Sequence, residues 1–186
     1  MRFGRLGPLF LALGVVTLRA GELSAQARVI SLVATAPGSL SLTVTSGAVQ
    51  SIANVADNAV NNFPSPVGIQ TSWDVNPGQT NTVRLIAYFS VPAQALVGPT
   101  VQIPSSRILG RMTTGTPVAY TAMTQNGVGG VGTAGGSLQL FSQNITGTNK
   151  TGSRTDNLDL QLDLVGFPSL PAGAYVGVLN IRAVTQ

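Results

Sequence analysis

Asp156, Asp159 and Asp163 offer the most to chemistry, because closely spaced carboxylates hold calcium or work as an acid and base pair. Along a strand, however, Asp159 and Asp163 lie about 13 Å apart at ~3.3 Å per residue. Calcium's oxygen ligands sit within about 2.6 Å of the ion, and glycosidase carboxyls within about 9.5 Å of each other, so neither chemistry fits. The three acids read as a solvated strand face. No metal is expected.

Other candidates fail on context. Gly127-Val128-Gly129-Gly130-Val131-Gly132 has the look of a phosphate-cradling loop, but that chemistry needs a helix N-terminus after it, and Ser137-Leu138-Gln139-Leu140 begins a strand. There is no Cys and no His in the 186 residues, which excludes thiol nucleophiles, Cys/His zinc sites and every histidine-dependent triad. Lys150 is the only lysine and Gly147 stands three residues before it, so the Ser-x-x-Lys arrangement is missing too. Lys150 and Arg154 read as a polar hairpin loop rather than a contact for an anionic glycan. Trp73 shares its face with Ile69 and Val75, which makes it a core residue rather than a sugar platform. No catalytic residue, no cofactor and no enzymatic activity are expected.

The N-terminus reads as an address. Arg2 and Arg5 precede an apolar run from Leu6 to Leu18, and Ala25-Gln26-Ala27 supplies the small side chains of a cleavage site. The run is too short to span a bilayer easily, so residues 1–27 read as a secretory signal peptide cut after Ala27. Removing 27 of the 186 residues leaves 159, one domain at 28–186. No later stretch is long enough to cross a membrane as a helix. Of the remaining seven basic and five acidic residues the basic ones are scattered, which argues against nucleic acid as a partner. The expected location is extracellular or at the cell surface, after periplasmic transit in a Gram-negative cell. An exported chain without disulfides must rely on packing and backbone hydrogen bonds.

Alternation with period two dominates the elements that follow. Leu40, Leu42 and Val44 alternate with Ser and Thr across 39–45. Val83, Leu85, Ala87, Phe89 and Val91 share a face, which Ile86 interrupts. Leu158, Leu160, Leu162 and Leu164 oppose Asn157, Asp159, Gln161 and Asp163, and residues 175–184 alternate again. Further strands are expected at 29–34, 67–75, 101–103, 118–123 and 137–145, giving nine or ten. Turns fall at Pro37-Gly38, Asn76-Pro77-Gly78, Gly115-Thr116-Pro117, 147–152 and Pro171-Ala172-Gly173. Residues 48–53 read as a short strand followed by a loop; the helical spacing of Ile52, Val55, Ala56, Ala59, Val60 and Phe63 is the competing reading. The glycine-rich run 124–136 reads as a flexible loop. Short strands with such turns predict an all-β antiparallel sandwich in a single domain.

Beyond these patterns, the leader, Thr71-Ser72-Trp73-Asp74-Val75-Asn76-Pro77-Gly78, Arg154-Thr155-Asp156-Asn157-Leu158-Asp159-Leu160 and the ending from Leu170 to Ile181 resemble uncharacterised secreted bacterial β-sandwich proteins. The ending is similar to that of pilin-like and spore-coat-U-like subunits, although the cysteine pair of many pilins is absent. This resemblance implies an immunoglobulin-like fold and a structural role in surface assembly, by self-association or with other surface subunits. A physical route is strand addition, in which an alternating segment completes a neighbour's sheet. The expected donor is the segment 28–45, with Leu40, Leu42 and Val44 as the groove-filling residues. The alternative for that segment is the first strand of a self-sufficient monomer. The alternative for the whole is a monomeric glycan-binding or adhesive module.

Overall fold

The computed structural model describes residues 25–31, 39–78 and 82–186. Most of the expected leader and the middle of the expected donor, residues 32–38, lie outside them.

Alternation does become strands. One sheet orders β11 (Ser137–Asn144), β6 (Thr82–Tyr88), β13 (Tyr175–Thr185), β1 (Ala25–Ser31) and β3 (Val49–Ile52). Two short strands, β7 (Leu96–Val97) and β8 (Gln102–Ile103), extend it beside the start of β13. The other sheet orders β10 (Thr121–Ala122), β9 (Ile108–Met112), β12 (Thr151–Asp163), β5 (Val67–Asp74) and β2 (Ser39–Ser46), with β4 (Val60–Asn62) on β12. The fold is therefore an all-β sandwich. Among the described residues, every ladder is antiparallel except one, in which β1 runs parallel to β13 from Ala25 beside Tyr175 to Ser31 beside Ile181. No helix among them is long and apolar enough to cross a membrane.

The core lies between the inner faces. Leu85, Ala87, Leu138, Leu179 and Ile181 face it from the first sheet, and Leu40, Leu42, Ile69, Leu158, Leu160 and Leu162 from the second, all buried. Ile86, the residue that breaks the alternation, is buried as well, so β6 is covered on both faces. Trp73 closes one end: its ring lies 6.3 Å from that of Phe141, and its indole N–H donates to the Asn149 carbonyl at 3.0 Å. The approach to β12 there requires Gly152, since a Cβ would overlap the Trp73 ring.

The outer face of β2, β5 and β12 is built differently. Its ladders align Ser39, Asp74 and Thr151 in one row, Ser41, Ser72 and Ser153 in the next, and Thr43, Gln70 and Thr155 in a third. Hydroxyl and amide groups thus fill these three rows, with Asp74 as the single carboxylate among them.

Several boundaries differ from the sequence reading. No helix forms over 48–63; after β3 the chain turns through a loop into β4. Two asparagines, poor helix formers, lock this loop. Asn61 accepts the Ala56 N–H at 2.7 Å and donates to the Ala56 and Ala59 carbonyls at 3.0 and 3.1 Å, while Asn58 accepts the Gly166 N–H at 2.8 Å. β9 has no counterpart among the expected strands, because Gly110 and Arg111 interrupt its apolar pattern. The expected strand at 118–123 shrinks to two residues, and β12 starts at Thr151, inside an expected turn. Residues 124–136 close on themselves: Val128 and Val131 exchange backbone hydrogen bonds, and Val131 is buried.

Tyr175, at the entry to β13, is also buried and donates its hydroxyl to the Pro171 carbonyl at 3.0 Å. Burial, reinforced by the Asp57 carboxylate, raises the phenol above its ordinary value of 10.0. The folded state therefore holds this proton to higher pH than the unfolded chain, so its contribution is fully present below about pH 10 and is lost as pH rises further. We expect the urea midpoint of the wild-type chain to drop between about pH 9 and about pH 11 more steeply than that of Tyr175→Phe, which itself loses about 1 kcal/mol with the hydrogen bond.

Candidate strand-docking site

β13 changes partners along one edge. Residues 180–185 pair with β6, whereas Val176 pairs with Val97 of β7, and the chain from Phe89 to Ala95 spans the gap. Backbone there comes so close to β13 that a Cβ on Gly177 would overlap the Ala95 carbonyl oxygen. On the outer side this switch leaves a groove of about 460 Å³, lined among others by Val91, Val97, Val176 and Val178. All four are exposed, between 36% and 51%, so half of the large exposed hydrophobic residues among those described collect at one place. Such clustering marks an interaction surface more often than scattered surface valines do. Polar groups rim the groove at Ser90, Gln94 and Asn180, and the Asn180 amide donates to the Ser90 hydroxyl at 3.2 Å.

Across β13 lies the other half of the site. β1 sits between β13 and β3, and its residues 25–28 face 175–178 on one side and 52–49 on the other. β3 carries Val49, exposed, and Gln50, 2% exposed. The Gln50 amide donates to the Gly47 carbonyl at 3.1 Å, and its Oε1 is buried without a hydrogen-bond partner among the described residues. Neither the groove nor this placement of β1 is visible in the sequence. Period two says which face a residue is on, and not which strand lies alongside.

No protein-family model matches the chain, and no curated protein is significantly similar to it.

The residues singled out by type are dispersed. Leu40 and Leu42 are buried in the chain's own core and Val44 packs against it, on a β2 that pairs with β5 of the same chain. The three acids do not converge. Asp159 pairs with Arg111, with nitrogen to oxygen distances of 3.1 and 2.9 Å, and Asp163 accepts the Val165 N–H at 2.9 Å. Asp156 corrects the expectation of a solvated face: it points inward and is fully buried. It accepts the Thr114 hydroxyl at 2.8 Å and a two-pronged contact from Arg154, whose guanidinium lies 4.3 Å from the centre of the Phe141 ring. Arg154 is thus tied into the sandwich rather than displayed on a loop.

Proposed function

We propose that the protein is a secreted structural subunit that assembles by strand addition. The observation that carries this reading is the parallel insertion of the N-terminal strand β1 beside the C-terminal strand β13, in a fold otherwise built of antiparallel ladders. A strand of this kind is joined to the body on one side only once the leader is removed, and the ladder it makes can be made equally by the same strand of a second copy. The apolar groove beside Val176 and Val178 gives an arriving chain surface to bury. In this reading the exchanged element is β1, while β2 stays in its own core. The hydroxyl of Tyr175 reaching back four residues has the geometry of the tyrosine corner in immunoglobulin-like sandwiches, which supports that finer description of the fold.

Because the chain has no cysteine, a cross-linking test is clean. Ile30 and Asn180 are ladder partners, at a spacing a disulfide accepts. One chain carrying Ile30→Cys is refolded with another carrying Asn180→Cys. Oxidation is expected to give a covalent dimer of the two different chains, and the unmodified protein a ladder of polymers on a gel run without boiling. If the mixture stays monomeric while a chain bearing both cysteines closes an internal disulfide, assembly through β1 is rejected and an adhesive monomer remains.

A further inference from the structure

The expected cut after Ala27 falls inside β1, three residues past its start. The residues that leave are the ones whose ladder partners are Tyr175, Val176 and Gly177 on β13, and Ile52, Ser51 and Gln50 on β3. Of the four residue pairs that join β1 to β3, only Arg28 with Val49 survives. The cut therefore vacates a slot bounded by two strand edges facing each other. We propose that leader removal creates this slot, and that the loss of its ladders frees what remains of β1 to take the corresponding place beside β13 of a second copy. The inference rests on the assembly reading above and adds its control: the uncut chain completes its own sheet, and only the processed chain has a vacancy.

Two features suit the slot to an extended segment. Open edges on both sides offer an arriving strand backbone hydrogen bonds to both, more than a single sheet edge provides. Val176, beside the vacated position of Gln26, opens onto the apolar groove, which continues the surface available to the arriving chain.

The test uses two proteins, one beginning at Arg28 as the exported chain should, the other at Ala25. N-terminal sequencing of exported material is expected to read Arg28; a start at or before Ala25 overturns the proposal. Hydrogen exchange is then measured on dilute monomer. Protection of amides at 50–52 and 175–177 is expected to be at least about tenfold lower in the shorter chain. On concentration the shorter chain should polymerise, and a synthetic peptide of residues 25–31 should suppress that growth, while the longer chain stays monomeric. Equal protection in the two proteins overturns the slot. Unequal protection with equal polymerisation overturns its control of assembly. Unequal protection with no polymer from either protein leaves the slot standing and overturns the assembly reading instead.

Discussion

Leu42→Asp should leave the chain without a cooperative fold. Leu42 is 4% exposed, in a strand whose alternate residues point between the sheets. Its ladder partner is Thr71, a neutral side chain, and the described core residues it joins are apolar, so a carboxylate there enters an uncharged surrounding. Burying an unpaired carboxylate costs several kcal/mol, on top of the roughly 2–5 kcal/mol lost with a leucine side chain. Domains of this size are stable by about 5–15 kcal/mol, so most or all of that margin goes. Circular dichroism should show an unfolded chain. A folded Leu42→Asp monomer that no longer polymerises would instead make β2 the exchanged strand, and would displace β1 from that role.

Arg154→Met should be the next most damaging change. It strands the Asp156 carboxylate, which is fully buried and keeps the hydrogen bond from the Thr114 hydroxyl but loses its cation. Breaking a buried pair from one side costs about 3–5 kcal/mol, which in a domain of this size lowers the melting temperature by roughly 10 °C. The mirror change, Asp156→Leu, should cost less, because the Arg154 side chain keeps 26% of its surface in water and can rehydrate there. Combining the two should recover most of the loss, as an apolar pair of similar volume replaces a charged one. Thermal melts of the two single variants and the double variant decide this; a double variant no better than Arg154→Met alone would show that the pair is not what holds this end together.

The parity of these positions is legible in the chain itself. Asp156 has the same parity as Leu158, Leu160 and Leu162, and Asp159 and Asp163 the opposite, so period two puts the first acid on the buried face and the other two outside. Taking three acids as one cluster obscures that. The strands whose alternation holds, β2, β5 and β13, are legible for the same reason, while β9 is not, because a glycine and an arginine stand in its middle. What the alternation leaves open is partner choice. That β13 trades β6 for β7, and that β1 lies parallel to it, depend on contacts between segments about 80 to 150 residues apart, and these leave no local mark. The candidate site is built from those choices. Its valines stand in the sequence only as ordinary members of a strand.

The rows of serine, threonine and glutamine across β2, β5 and β12 bear on how the molecule meets its surroundings. Hydroxyls and amides neither gain nor lose protons between mildly acidic and mildly alkaline water, and they attract no cloud of counterions that salt could thin. A face made of them wears the same coat of water in a freshwater pond, in brine and in sour soil. That constancy leaves changes in the medium to act on the charged residues, Asp74 in the first of these rows and those beyond them.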